Sequence, residues 1–183
     1  MIPKKKPSIW VKQVTSKIKH VGNLIDIACG EGRHSKLLRK NFFIYAVDKN
    51  TDYLNNLKNI PNLQTIYQDL ESDKEWDFSN KKFNVVLVTN YLFRKKLPDL
   101  FKLVKLNGYI IYETFAVGNE KYGRPANPNY LLKSKELLKT KPENFKTLEF
   151  YEGEKNENSK KSVVQRLLAK RIYYPRPLYD GKS

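Results

Sequence analysis

The 183-residue chain is 40% hydrophobic and 30% charged, enough for a single domain over 1–183 with its folded part expected at 7–171. It has no apolar run near the ~20 residues of a membrane helix, no hydrophobic segment after the basic start "MIPKKKPSIW", and a single cysteine; this argues against a membrane span, a secretory signal and an internal disulfide, and for the cytoplasm. The net charge of +16 leaves attraction to nucleic acid open, but the basic residues are scattered, as on a Lys-rich solvated surface, and not gathered in a stripe.

In chain order, Ser8 is placed to cap a helix with apolar residues at 11, 14 and 18. Residues 23–28, "NLIDIA", read as a buried strand, followed by a glycine turn and a helix to about residue 40. Residues 42–48, "FFIYAVD", are a second strand that ends on an acid. A helix capped by Thr51 has apolar residues at 54, 57 and 60 and is stopped by Pro61. "LQTIYQDL", residues 63–70, is a third strand ending on an acid, and an irregular acidic and aromatic segment follows it. The fourth strand, 83–89, is a continuous apolar run of the kind that both faces of a parallel sheet bury. "LPDLFKLVK" is a helix ending near Asn107 and Gly108, before a fifth strand over 109–115.

The periodicity then changes. Residues 116–132 are a Gly-, Asn- and Pro-rich connection too long for a plain turn, and "SKELLKTK" is a short helix. "FKTLEFYEG" and "SVVQRLLAKR" read as strands joined by the polar loop "EKNENSKK", a final hairpin, with flexible ends at 1–6 and 172–183. The fold class expected is α/β: a doubly wound, Rossmann-like, mostly parallel sheet with a C-terminal antiparallel hairpin at its edge.

Ligands of such sheets sit at the carboxyl ends of the strands near the topological switch point. Those ends are Asp26 to Gly32, Asp48, Asp69, Thr89 to Tyr91, and Glu113 onward. "GEGRHS", 30–35, matches a dinucleotide fingerprint, a weak signal alone. Asp26, four residues before Gly30, would not attract a diphosphate, and Asp69 has no role in that fingerprint. S-adenosylmethionine carries a sulfonium, an ammonium and a ribose, and suits acids around its pocket. With one Cys and two His no zinc cluster is available, and no metal is expected.

"IDIACGEGRH", "AVDKN", "QDLE" and "VVLVTNYLFR", in this order and spacing, resemble the cofactor motifs of class I S-adenosylmethionine-dependent methyltransferases. "YETFAVGNEKYGRPANPNYLL" and "VVQRLLAK" resemble a small bacterial subgroup grouped with tellurite-resistance-type methyltransferases; the resemblance covers about residues 7–171. One departure is Ala28, where many of these enzymes have the first glycine of the turn.

The resemblance implies S-adenosylmethionine as cofactor, with Ala28, Cys29, Gly30 and Gly32 as the bare turn against which it lies. Asp26 would orient its ammonium, Asp48 would accept both ribose hydroxyls with Lys49 beside it, and Asp69 would accept from the adenine amino group with the Leu70 amide facing the ring. Thr89, Asn90 and Tyr91 would line the wall near the reactive methyl. Cys29 reads as packing, His34, in the first turn of the helix, as a neutral polar cap of the pocket, and His20 as surface.

Candidates for the acceptor pocket are Tyr91, Glu113 and Arg124, with Arg94, Tyr112, Asn119, Tyr122 and Asn127 nearby in the sequence pattern. Arg124 suits either an anionic substrate group or a structural ion pair, for instance with Glu113. The expected function is methyl transfer by in-line displacement to a small molecule, with no membrane partner. The alternatives are an RNA or DNA methyltransferase and a non-catalytic cofactor-binding module. Against the first, "TNYLFR" lacks the Asn/Asp-Pro-Pro-aromatic motif of amino-group base methyltransferases. Against the second, every expected cofactor position holds a competent residue.

Overall fold

The computed structural model describes residues 6–18, 22–157 and 159–173. His20 and most of the two end segments lie outside these residues. Helix α1, Ile9–Lys17, starts where expected, with the Ser8 hydroxyl accepting from the Val11 amide, and it buries Val11 and Val14 completely.

Strands β1 (Gly22–Ile27), β2 (Phe42–Asp48), β3 (Leu63–Tyr67), β4 (Phe83–Thr89), β5 (Val104–Phe115), β6 (Phe145–Glu157) and β7 (Lys160–Arg171) form one seven-stranded sheet in the order β3-β2-β1-β4-β5-β7-β6. The first five pair in parallel; β7 runs antiparallel to both β5 and β6. The sheet is therefore the mostly parallel α/β arrangement with an antiparallel hairpin at one edge. The chain winds outward from β1 to β3, then crosses to β4 on the other side of β1. That reversal between β1 and β4 is the switch point, and it opens a crevice at their carboxyl ends.

The central strands are buried on both faces because their side chains alternate between two cores. Leu24, Ile44, Val85, Leu87 and Ile111 pack under α1, α2 (Arg33–Leu38) and α3 (Thr51–Asn55). Ile25, Ile27, Val86, Val88 and Ile110 face α4 (Leu97–Lys102), α5 (Glu136–Thr140), and Trp76 and Phe78 of the irregular segment. Those two rings stack with centroids 5.4 Å apart, and the Trp76 indole N–H donates to the Leu70 carbonyl. An aromatic plug thus takes the place of a crossover helix between β3 and β4.

The structure corrects several boundaries. Asn50, not Thr51, caps α3: its side-chain oxygen accepts from the Tyr53 amide at 3.0 Å. That helix ends at Asn55, well before Pro61, and left-handed Asn59 turns the chain ahead of the proline. Strand β3 stops at Tyr67, so Asp69 sits in the loop beyond it. Helix α4 ends at Lys102 and not near Asn107. Val104, completely buried, already pairs with Phe83, and left-handed Asn107 lies in a register shift within β5.

The hairpin is longer than its apolar pattern. The "EKNE" and "KK" ends of its polar linker pair as ladder, with Glu157 opposite Lys160 and Asn156 opposite Lys161. Ladder hydrogen bonds and the inward-facing ion pairs of Lys155 with Glu113 and Glu157 stabilise what composition alone marks as loop.

The turn after β1 places three residues in the left-handed region: Ala28 at φ 53°, Gly30 at 56° and Gly32 at 71°. A Cβ on Gly30 would meet nothing within 4 Å, whereas one on Gly32 would stand 2.5 Å from a methyl of fully buried Leu57. Gly32→Ala therefore combines backbone strain with overpacking and is expected to cost about 2–4 kcal/mol, against about 1 kcal/mol for Gly30→Ala. Urea unfolding of the two variants measures the difference; equal losses would contradict the Leu57 contact.

Candidate functional site

The site grows from the turn at the crevice. The Asp48 carboxylate, at the end of β2, accepts from the Gly30 amide at 2.8 Å with one oxygen and from the Asn50 amide at 2.9 Å with the other. It is thereby fixed in place while still bordering open space.

Asp26, one residue before the end of β1, is completely buried. Its Oδ2 accepts from the Ser35 hydroxyl at 2.6 Å, but its Oδ1 has no partner. Burial is the largest influence on the group and raises its pKa to about 6, against the weaker opposing pull of Ser35 and Arg33. An unpartnered carboxylate oxygen inside a protein is costly, and a cation would relieve it.

Two cavities flank the turn. The smaller, about 140 Å³, is bordered by Ala28, Asp48, Lys49, Asp69, Leu70 and Tyr91, all expected site residues, together with Gln68 and Glu71, which the sequence reading missed. Its charge is dominated by carboxylates. Asp69 also closes its own turn by accepting from the Glu71 amide at 3.0 Å, and Lys49 stands 3.8 Å from it. The Tyr91 hydroxyl is buried here without a partner, and burial raises its pKa.

The larger cavity, about 1400 Å³, is bordered by a different set of residues, among them Arg33, Asn90, Glu113 and Arg124. Consecutive residues Asn90 and Tyr91 thus border different cavities. Tyr91, Glu113 and Arg124, expected to share one acceptor pocket, are split between the two.

Glu113 is not free and does not pair with Arg124. Its buried carboxylate binds the Lys155 ammonium at 2.8 Å and the Arg166 guanidinium at 2.6 Å. Burial opposes its charge, but the two cations outweigh burial and hold its pKa below the usual range, which makes it a weak base. Lys155 also binds Glu157 at 3.1 Å. Arg124 is exposed on the connecting loop, with no carboxylate within ion-pair distance among the described residues.

His34 is buried and neutral. Its Nε2 accepts from the Ser8 amide at 3.0 Å, and its Nδ1 stands 3.3 Å from the Thr89 hydroxyl and 3.4 Å from Arg33 Nε. Burial first, and Arg33 second, lower its pKa to about 3. The neutral state expected from the sequence is present, with burial and not the helix dipole as its leading cause, but His34 is buried and lines neither cavity rather than capping the pocket. Cys29 is packed in the turn with its pKa pushed up by burial and by Asp26 and Asp48, so its thiol is unreactive.

The remaining acceptor candidates have structural partners. Tyr112 is fully buried and donates to the Tyr91 carbonyl at 2.9 Å. Asn119 clamps the loop, donating to the Pro125 carbonyl and accepting from the Val163 amide. Asn127 caps the short turn that follows it, and Tyr122 donates to Glu154. Arg94 binds Glu136 through two nitrogens and donates to the carbonyls of Asn129 and Leu131. Residues missed by the sequence reading, notably Arg33, Ser35, Lys155 and Arg166, have no motif spacing of their own; adjacency to the "GEGRHS" turn was the only available signal for the first two.

A doubly wound sheet with an antiparallel final pair, and a glycine turn beneath acid-ended strands, is the class I methyltransferase fold. Solved structures of similar fold include TehB from Haemophilus influenzae, at TM-score 0.69 and 18% identity over 87% of this chain and 60% of that chain. An S-adenosylmethionine-dependent methyltransferase from Methanosarcina mazei matches at 0.63 and 14% over 88% and 98%. The N-methyltransferase NodS from Bradyrhizobium japonicum matches at 0.69 and 10% over 90% and 93%. The chain thus spans about 60% of the length of the H. influenzae protein. No curated protein sequence matches the chain significantly. The family model described as tellurite resistance protein TehB matches residues 9–161, and the chain belongs to that family. None of the described helices is long and apolar enough to cross a membrane.

Two outcomes follow from this geometry. Folding buries the Asp26 carboxylate and raises its pKa from 3.8 to about 6, so the penalty is fully present above pH 6 and vanishes as pH falls toward 4. At about 1.4 kcal/mol for each pKa unit, Asp26→Asn should stabilise the unliganded chain by about 3 kcal/mol at pH 8 and by almost nothing at pH 4, as read by denaturant unfolding. Arg94→Ala should destabilise by about 2–3 kcal/mol by leaving partly buried Glu136 unpaired, read the same way at pH 7.

Proposed function

We propose that the chain is an S-adenosylmethionine-dependent methyltransferase, acting as one domain on a small-molecule acceptor. The observation that carries this reading is the unpartnered Oδ1 of completely buried Asp26 beside the bare turn. It fits the cofactor's ammonium and has no counterpart in the needs of a diphosphate. Asp48, already fixed by two backbone amides, would accept the ribose hydroxyls in the open direction. The acidic cleft, with Asp69, Leu70 and the unpartnered Tyr91 hydroxyl, would take the adenine. Asn90, which lines the larger cavity, and its buried neighbour Thr89 would border the methyl-bearing end.

When bound, S-adenosylmethionine supplies a methyl group on a sulfonium, whose departure needs no acid. The contribution of the chain is then orientation and exclusion of water, worth several kcal/mol through proximity. The available bases agree with such a division of labour. Glu113 is held charged between two cations, neutral His34 has both nitrogens engaged, and burial raises the Tyr91 pKa. Glu113 is read as a structural anchor of the cavity and Arg124 as its exposed cation. The acceptor supplies its own lone pair.

Calorimetric titration with S-adenosylmethionine, S-adenosylhomocysteine and NADH tests the reading. Both adenosyl ligands should bind, NADH should not, and Asp48→Ala and Asp26→Asn should each weaken binding about tenfold or more. Affinity should also fall below pH 6 as Asp26 takes up a proton. Binding of NADH with Asp26→Asn harmless would make the chain a dinucleotide protein and overturn the reading.

A further inference from the structure

We propose that the acceptor is a small organic molecule carrying phosphate or carboxylate groups, held in the half-open basic cavity beside the turn; this rests on reading the acidic cleft as the cofactor side. The two cavities have opposite charge. Carboxylates dominate the smaller, whereas the larger is lined by Lys6, Arg33, Arg124, Lys155, Lys160 and Lys161 against only Glu113 and Glu157.

The two acids are already used. Both bind Lys155, and Glu113 also binds Arg166, so the two acids and two cations of this network neutralise one another within the wall. The other five cations have no carboxylate within ion-pair distance among the described residues. Unpaired cations on one concave surface repel each other and focus a positive field into it, a field that an anion relieves. Their scatter in the sequence hides this arrangement. Lys6 precedes α1, Arg33 starts α2, Arg124 is on the loop after β5, and Lys160 and Lys161 open β7.

Size separates an organic anion from a bare oxyanion. At about 1400 Å³ the cavity far exceeds what a single phosphate- or tellurite-sized ion fills, even with part of it given to the cofactor. Tyr122 and Tyr130 on its border, 38% and 53% exposed, offer ring surface for a carbon skeleton between the charged groups. A concave site closed on one side by the hairpin also favours a whole small molecule over a polymer that must pass through.

The test is calorimetry on protein saturated with S-adenosylhomocysteine, using uridine 5′-monophosphate, citrate, inorganic phosphate, uridine and an oligouridylate as probes. Uridine 5′-monophosphate or citrate should bind about tenfold more tightly than inorganic phosphate, with uridine silent. Which of the two binds better distinguishes phosphate from carboxylate recognition. Arg124→Gln and the pair Lys160→Gln/Lys161→Gln, all exposed positions that leave the core intact, should each weaken binding about fivefold or more. Exposed Lys58→Gln/Lys81→Gln, outside the cavity lining, should change it less than about twofold.

The proposal is overturned if neither organic anion binds, or if inorganic phosphate binds as tightly. It also falls if the control pair weakens binding equally, or if the oligouridylate binds more than about tenfold tighter than the mononucleotide, which would indicate nucleic acid. Failure of S-adenosylhomocysteine itself to bind would sink the methyltransferase reading separately, and the same titrations on unliganded protein then decide the anion site alone.

Discussion

Three left-handed residues within five, Ala28, Gly30 and Gly32, allow a strand buried on both faces to stop and turn into a helix inside one crevice. Everything else about the site depends on that turn. Asp48 fastens it by accepting from the Gly30 amide, and Leu57 packs where a side chain on Gly32 would stand. The open space above Gly30 is the result, a stretch of backbone that a ligand can approach without displacing anything. Ala28 tolerates the same conformation at a cost of about 1–2 kcal/mol, strain that the surrounding parallel strands impose.

The same region holds other costs that a packing argument would remove. Asp26 keeps one carboxylate oxygen unpartnered in the interior, and Arg33 is a partly buried guanidinium without a carboxylate partner among the described residues. Burial is the main cause of the shift in each group, raising the pKa of Asp26 and lowering that of Arg33. Such groups are tolerated where a ligand supplies the missing partner, and stability is given up for that readiness. Opposite signs of charge on the two sides of one turn extend the same logic to the whole crevice.

Around this centre, rigidity comes from contacts distant in sequence. Glu113 at the end of β5 holds Lys155 and Arg166 from the two hairpin strands, which fastens the antiparallel edge to the parallel sheet. Arg94 ties the long 116–132 connection to α5, and Asn119 ties it to β7. His34 joins the cap of α1 to the end of β4. The loop that reads as flexible from its Gly, Asn and Pro content is therefore held at several points, and its exposed Arg124 is presented from a fixed frame.

The sequence by itself determined the fold class, a mostly parallel sheet with an antiparallel final hairpin, and the acids that stand at its strand ends. Those features are local: apolar runs of strand length, acids at their ends, and glycines where the backbone must turn left-handed. It misread the ends of elements where local propensity and tertiary pairing disagree, as at Val104 drawn into β5 and at the polar hairpin arms that become ladder. Only the tertiary structure decided that Glu113 is an ion-pair anchor, that Arg94 and Tyr112 are structural, and that Tyr91 faces a different cavity from Arg124. The physical reason is range. A turn or a strand is specified within a few residues, whereas the partner of a charge, and the sign of a cavity, depend on side chains that meet from 40 to more than 50 positions apart.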